Sequence, residues 1–297
     1  MAGLVGWFGG KNTHSPWIYS FIPKEIDTYI EPFSGSFPIY FNEDFSHVKN
    51  IVFNDTNKFQ VNLMQCSKQY DLFLSEIDLS FKPGGTLYCD KFDISDIKKY
   101  YRDLFTEIKD PKKSDFYDNL NFQIPDFERG VIYAFMITSS FNACFARGAG
   151  FSGFTKTNKL KLTTLINKLQ SPKYREKLDN LNFILNEDFE SIFNQFDSPN
   201  SFFYCDPPYK RRNYEKGTHN IDYGSQTSFG ESGHERLRDI LYKTKSKWIL
   251  SYYWFPELEE WFPKSKYRWE SKEFFRSSSS FSENKTEKGI ELLIMNF

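Results

Sequence analysis

The sequence has few cysteines, no metal-ligand pattern and no long apolar run. Its 297 residues include four cysteines, none of them in a CxxC pair, and four histidines that do not cluster with them. These spacings argue against a disulfide framework and a zinc site, and they fit reduced thiols in the cytoplasm. No apolar stretch approaches the length of a membrane span, and the first residues lack the pattern of a signal peptide. We therefore predict a cytoplasmic protein with no metal and no membrane segment.

An excess of positive charge is also missing. The 38 lysines and arginines nearly balance the 39 acidic residues, which gives a net charge of -1. No overall basic field attracts nucleic acid, so any such partner has to be held by local patches. The hydrophobic fraction of 39% is ample for a core, and the length fits one large domain or a domain with an insertion.

Short apolar runs alternate with amphipathic segments, which predicts an α/β fold with a mostly parallel sheet covered on both faces. A carboxyl-terminal antiparallel hairpin is predicted from two strand-like runs with a Ser-rich stretch between them. The alternation breaks in the middle of the chain, so we predict a Rossmann-like domain of residues 1–60 and 178–297 with residues 61–177 inserted. The predicted strands are 26–30, 50–55, 181–189, 201–205, 247–253, 267–276 and 289–297, and helices are predicted at 233–244 and 256–262.

The stretch "EPFSGSF" follows the first predicted strand and precedes a helix expected to begin near Ser36. Gly35 lets the backbone approach a ligand closely, and exposed amides at the helix start can hold a carboxylate or phosphate. Asp55, at the end of the next strand, stands where an acid commonly accepts hydrogen bonds from ribose hydroxyls. Together they indicate an adenosine-bearing cofactor. A plain tight turn and a helix-capping aspartate are the alternatives.

Two more motifs carry polar groups. "FGGK" (residues 8–11) places Lys11 where it can pair with a ligand carboxylate, unless the segment is only a flexible turn. "DPPY" follows a strand-like run, and its two prolines lack N–H groups and fix the backbone. Carbonyl oxygens and the Asp206 carboxylate are therefore presented beside the Tyr209 ring. This arrangement suits a planar group bearing an NH2, such as a nucleobase, although a proline turn that ends a strand is the alternative.

These motifs, together with "NEDF" (residues 186–189) and the closing "EKGIELLIMNF", resemble the Dam-like (D12 class) adenine-N6 DNA methyltransferases. The resemblance implies that S-adenosylmethionine binds at "EPFSGSF" and "FGGK", with Phe33 against the cofactor and Asp55 on its ribose. It also implies that Asp206 and the Pro207 carbonyl accept hydrogen bonds from the amino group of a target adenine, and that Tyr209 stacks on this base. The implied catalytic residues are Asp206, Pro207, Pro208 and Tyr209, and the implied cofactor residues are Trp7, Phe8, Gly9, Gly10, Lys11, Glu31, Pro32, Phe33, Ser34, Gly35, Ser36, Asp55, Asp188, Phe189 and Asp206.

The resemblance also implies double-stranded DNA as the partner, an adenine flipped out of the helix, and a target-recognition role for the insertion. The implied DNA contacts are Arg147, Lys156, Lys210, Arg211 and Arg212. Residues 155–177 carry seven basic side chains and one acidic one, which fits either phosphate contacts or the solvated face of a helix.

Three other functions remain open from the sequence alone. An enzyme of the same fold could methylate cytosine N4 or adenine in RNA, although the Asp at position 206 favours adenine by resemblance. An inactive DNA-binding protein that holds the cofactor is disfavoured by the intact "DPPY". A nucleotide-binding oxidoreductase is disfavoured because the turn after the first strand lacks GxGxxG. A separate cognate restriction endonuclease is a further candidate partner, in a bacterial or phage setting.

Overall fold

The computed structural model describes residues 3–7, 9–110, 114–117, 123–141, 150–210, 229–275 and 288–297. The strands within these ranges form one seven-stranded sheet. They are β1 (Thr28–Glu31), β2 (Asn50–Asn54), β3 (Phe183–Leu185), β4 (Ser201–Cys205), β5 (Lys247–Tyr252), β6 (Arg268–Phe275) and β7 (Lys288–Met295). Their order across the sheet is β3-β2-β1-β4-β5-β7-β6.

The first five strands run parallel, and β7 runs antiparallel to both of its neighbours, β5 and β6. The predicted mostly parallel sheet with a carboxyl-terminal antiparallel hairpin is therefore confirmed. Every residue of β4 is buried, as expected of a parallel strand that is covered on both faces. Strand order reverses between β1 and β4, and in open α/β sheets ligands bind in the crevice at that point.

Eleven α-helices lie within the described ranges, together with a 3-10 turn at Asp115–Tyr117. Side chains of Asn57, Asp93, Asp126 and Asp188 accept backbone N–H groups at four of the helix starts, which satisfies donors that have no partner inside a helix. The helices are α1 (Ser15–Tyr19), α2 (Pro38–Asn42), α3 (Lys58–Lys68), α4 (Tyr70–Ser80), α5 (Ile94–Lys109), α6 (Phe127–Ser139), α7 (Leu162–Gln170), α8 (Pro172–Asp179), α9 (Phe189–Phe196), α10 (Gly230–Leu241) and α11 (Leu258–Trp261).

Two predicted helices, and the single helix that was one alternative for residues 155–177, differ from the observed helices. The basic segment 155–177 contains two helices instead of one, because Ser171 is extended and Pro172 cannot donate to a continuing helix. The helix predicted at 256–262 begins only at Leu258, after a turn that holds Pro256. The helix predicted at 233–244 begins earlier, at Gly230.

The described part of residues 61–177 packs on one face of the sheet. Phe59, at the start of α3, stacks on Tyr133 of α6 with ring centroids 5.5 Å apart. Both belong to a hydrophobic cluster that also contains Tyr29 of β1 and Leu165 of α7. A second cluster, with Phe203, Trp248 and Leu250, covers the opposite face. The helices of the middle region thus share a core with the sheet, and the division into two domains stays a prediction.

Candidate active site

The turn after β1 is shaped by one glycine. Gly35 has φ of 51°, a left-handed conformation that glycine adopts at little cost. A Cβ there would lie 2.7 Å from Nε1 of Trp7, so the indole packs directly against the turn. Ser34 Oγ closes the turn by donating to the Glu31 carbonyl at 2.7 Å. The segment that carries Trp7 and the "EPFSGSF" turn are therefore neighbours.

Asp55 is bound to this turn. Its carboxylate accepts the backbone N–H of Gly35 at 2.8 Å and that of Asn57 at 2.8 Å. Burial raises the pKa of Asp55 to about 6, while these two hydrogen bonds act in the opposite direction. Since an ionised carboxylate has about four acceptor positions, Asp55 keeps acceptor capacity for a ligand hydroxyl.

Asn54 is a site residue that the sequence analysis missed. It ends β2 fully buried, and its amide nitrogen donates to the Pro32 carbonyl at 2.8 Å and to the Glu187 carbonyl at 3.0 Å. Its amide oxygen accepts the N–H of Glu187 at 2.9 Å. Asn54 thereby joins the turn after β1 to the "NEDF" segment. A polar residue directly after the apolar run "IVF" was the available signal.

Aromatic rings line the region between these segments. Phe33 lies 5.5 Å from Phe189 and 5.5 Å from Phe229, measured between ring centroids, and it is half-buried. Asp188 caps α9, and its carboxylate also accepts Nη2 of Arg236 at 2.6 Å. Arg236, on α10, was not predicted, because nothing in the local sequence joins it to Asp188.

Lys11 and Asp206 meet at the end of β4. The Lys11 ammonium lies 2.8 Å from each carboxylate oxygen of Asp206, and it also donates to the Gly9 carbonyl at 3.1 Å. Lys11 is only 5% exposed. Burial by itself disfavours its charged form, but the carboxylates of Asp206 and Glu291 outweigh burial and raise the pKa of Lys11. The ammonium also lies 5.0 Å from the centroid of the Tyr209 ring.

Glu291, in β7, completes this cluster and was also missed. Its carboxylate accepts the Tyr209 hydroxyl and, at 2.6 Å, the Ser251 hydroxyl. It lies 4.0 Å from the Lys11 ammonium and is 2% exposed. Burial raises the pKa of Glu291, an effect that the Lys11 charge opposes. The signal in the sequence was a single acid between apolar residues of a strand.

The residues predicted to contact DNA differ from one another in their contacts and exposure. Lys210 pairs with Glu257 at 3.1 Å, with its ammonium 5.0 Å from the Trp261 ring centroid. Lys156 lies exposed in a turn. Phe8, Arg147, Arg211 and Arg212 lie outside the described residues.

Four of the seven basic residues in the segment 155–177 donate hydrogen bonds within the protein: Lys161, Lys168, Arg175 and Lys177. Lys168 donates to the carbonyls of Gly3 and Leu4 at 2.6 and 3.0 Å, and Lys177 donates to that of Glu43 at 2.6 Å. These two lysines therefore tie parts of the fold together. Lys156 and Lys159 stay exposed to solvent.

The site lies at one edge of the sheet, in two adjoining halves. Because β1 and β4 are parallel neighbours, with Ile30 opposite Phe203, the segments that follow them emerge side by side. One half offers a turn, an acid and aromatic rings, and the other offers acceptors beside the Tyr209 ring. Within the described ranges, no group of three or more His, Cys, Asp or Glu side chains is placed to hold a metal, and no helix is long and apolar enough to cross a membrane.

A seven-stranded sheet with one reversed strand, whose strand order changes direction between β1 and β4, is the Rossmann-like fold of methyltransferases. The sequence model of the D12 class N6 adenine-specific DNA methyltransferases matches residues 7–285. The chain belongs to that family, which confirms the resemblance identified from its sequence motifs. It is thus an enzyme of DNA methylation, and methyltransferases of this kind take their methyl group from S-adenosylmethionine.

Two curated methyltransferases are similar in sequence to this chain. The Type II methyltransferase M.CviBI of Paramecium bursaria Chlorella virus NC1A is 25% identical over 260 residues, which cover 84% of this chain and 82% of that protein. The Type II methyltransferase M.FokI of Planomicrobium okeanokoites is 26% identical over 211 residues, which cover 69% of this chain but 28% of that protein.

Proposed function

We propose that the protein transfers a methyl group from S-adenosylmethionine to N6 of an adenine flipped out of double-stranded DNA, at one short sequence. The observation that carries this proposal is the junction of Lys11, Asp206 and Tyr209 beside the "EPFSGSF" turn. It sets acceptors for an amino group next to a turn suited to an adenosine-bearing cofactor. Both halves of the reaction would then meet at one edge of the sheet.

The cofactor half fits S-adenosylmethionine in its chemistry. Asp55 has acceptor positions left for ribose hydroxyls, because the Gly35 and Asn57 N–H groups occupy only part of its capacity. Phe33 and Phe189 supply apolar surface for the adenine, and Asp188 supplies a carboxylate. The Gly35 turn and Trp7 border the remainder. When bound, S-adenosylmethionine supplies an electrophilic methyl group on a sulfonium.

The target half would act on the adenine amino group. Asp206 and the Pro207 carbonyl accept its two N–H groups, which draws the nitrogen lone pair out of the ring and toward the methyl group. The Asp206 carboxylate then stabilises the positive charge that develops on N6. Tyr209 stacks on the base, and holding both reactants in place supplies much of the rate. N6 would gain the methyl carbon as the bond between that carbon and the sulfonium sulfur breaks, which leaves S-adenosylhomocysteine, and N6 would release one proton to solvent.

The DNA itself would be held by local basic groups, since the net charge of -1 supplies no general attraction. We assign this role to Arg147, Lys156, Lys210, Arg211 and Arg212, with residues 61–177 as the target-recognition region. The two relatives are named Type II methyltransferases. By that analogy we infer a separate cognate restriction endonuclease as partner and a bacterial or phage-encoded enzyme that acts on DNA in the cytoplasm.

One experiment tests the reaction and supplies the target sequence. The protein is incubated with S-adenosylmethionine and unmethylated genomic DNA, and modified bases are mapped by single-molecule sequencing. We expect N6-methyladenine at one short motif, and no modification with Asp206→Ala. Cytosine methylated at N4 would overturn the adenine assignment, and the absence of any modification despite cofactor binding would overturn catalysis on DNA.

A further inference from the structure

We propose that Glu291 is a positioning residue of the methyl-transfer site, which orients the Tyr209 ring and the Lys11 ammonium. It lies in β7, beyond residue 285, where the match to the family ends. The inference rests on the proposed stacking of Tyr209 on the target base and on the proposed role of Asp206. Glu291 would act on the reacting atoms only through these neighbours.

The burial of this carboxylate needs an explanation. A glutamate that is 2% exposed on a strand carries a large desolvation penalty unless donors surround it. Two donors reach Glu291, the Tyr209 hydroxyl and the Ser251 hydroxyl at 2.6 Å, and the Lys11 ammonium lies 4.0 Å away as a counter-charge. They come from the segment after β4, from β5 and from the amino-terminal segment. One side chain of β7 thus contacts three other parts of the site.

The hydrogen bond to Glu291 fixes the far end of the Tyr209 side chain. The near end is held by the rigid backbone that follows Pro207 and Pro208. Rings of Tyr252 and Tyr253 pack beside it at 5.5 and 4.5 Å between centroids. A ring held at both ends keeps one plane available for a base, so little ordering remains when the base enters.

Glu291 and Asp206 also hold the same ammonium. Lys11 bonds both carboxylate oxygens of Asp206 at 2.8 Å, while Glu291 attracts it from 4.0 Å. This attraction keeps Lys11 at the junction and so keeps the Asp206 carboxylate in one orientation. Loss of Glu291 would therefore leave both the Tyr209 ring and the Asp206 carboxylate less firmly oriented.

A set of variants separates positioning from packing. Glu291→Leu replaces the carboxylate with a branched apolar side chain one bond shorter, which a buried strand tolerates. We expect kcat to fall about 30-fold while KM for S-adenosylmethionine changes less than about threefold. Glu291→Gln, whose amide oxygen can still accept the Tyr209 hydroxyl, should restore kcat to within about fivefold of the parent. Glu270→Gln, the same change on the neighbouring strand β6, should have no effect.

Tyr209→Phe tests the connection directly, because it removes the hydroxyl and keeps the ring. If Glu291 acts mainly through that hydroxyl, the fold-decrease in kcat of the double variant Tyr209→Phe/Glu291→Leu is clearly smaller than the product of the two single decreases. If the decrease in kcat of the double variant equals the product of the two single decreases, the proposal is overturned. A Glu291→Leu protein with a lower Tm but an unchanged kcat also overturns it, because that result would show a purely structural role.

The same set distinguishes failure of this proposal from failure of the proposed function. If Tyr209→Ala leaves kcat unchanged, the stacking role of Tyr209 is wrong, and the positioning role of Glu291 is wrong with it. If Tyr209→Ala abolishes activity while every Glu291 variant matches the parent, only the Glu291 proposal is overturned. Should Glu291→Leu not fold, the pair Glu291→Gln and Tyr209→Phe is tested in the same cycle, and multiplicative losses again overturn it.

Discussion

The Lys11 ammonium lies 2.8 Å from both carboxylate oxygens of Asp206, although 195 residues separate the two in the chain. This ion pair joins the amino-terminal "FGGK" segment to the "DPPY" motif at the carboxyl end of β4. It is largely shielded from water, with side-chain exposures of 6% and 19%. The acid proposed to accept the target amino group therefore has a fixed orientation before any substrate binds.

Replacement of Asp206 by asparagine should nearly abolish methyl transfer and affect cofactor binding far less. The amide keeps the shape but loses the negative charge proposed to stabilise the cationic amine, so we expect kcat to fall by about 1,000-fold. The affinity for S-adenosylmethionine should change less than about fivefold. Transfer of a radiolabelled methyl group to DNA and isothermal titration calorimetry measure the two effects. Asp27→Asn, in the exposed pair with Lys49, is the matched control.

Replacement of Lys11 by methionine should reduce both stability and activity. It leaves the Asp206 and Glu291 carboxylates buried without their shared cation, and breaking a buried pair costs about 3 kcal/mol or more. Thermal unfolding measures the loss, and Lys49→Met on the exposed pair with Asp27 should leave Tm nearly unchanged. An equal effect of the two changes would contradict the structural importance of the Lys11 pair.

Replacement of Gly35 by alanine should weaken cofactor binding by about tenfold or more. The new Cβ would lie 2.7 Å from Trp7 Nε1, in addition to the strain of a side chain at φ of 51°. Gly84→Ala is the matched control, because Gly84 also has a positive φ, of 91°, but no atom within 4 Å of the added Cβ. Cofactor affinity that responds equally to both substitutions would argue against a binding role for the Gly35 turn.

Cofactor affinity should depend on pH through Asp55. Burial raises the pKa of Asp55 to about 6, so its carboxyl group is mostly protonated below that pH and ionised above it. Ribose hydroxyls bind the ionised form better, since protonation removes acceptor positions. Affinity should therefore fall as the pH is lowered through 6, by up to about tenfold per pH unit, and level off above 7. Calorimetric titrations with S-adenosylhomocysteine between pH 5 and 8 test this.

The Asp55→Asn variant serves as the control for that titration. It should bind more weakly at pH 7 and lose most of the pH dependence, because its amide does not titrate. A slope in Asp55→Asn as steep as in the parent protein would assign the pH dependence to another group.

Much of this protein follows from its sequence, because the signals involved are local. The burial of all five residues in "SFFYC" requires only an apolar run long enough for a strand, and the rigid "DPPY" requires only its two prolines. The turn at Gly35 and the acid after β2 likewise depend on short segments. Parallel-sheet geometry then explains why these motifs share one edge, and their order along the chain identifies the family.

The tertiary structure alone decided the contacts between distant segments. Strand order places β7 between β5 and β6, and only this order brings Glu291 to Tyr209 and Lys11. The same applies to Arg236 beside Asp188, and to Lys168, whose ammonium binds the carbonyls of Gly3 and Leu4 instead of facing solvent. Residue type and local periodicity indicate that a side chain is polar or buried. They do not specify its partner, because that depends on how the whole chain packs.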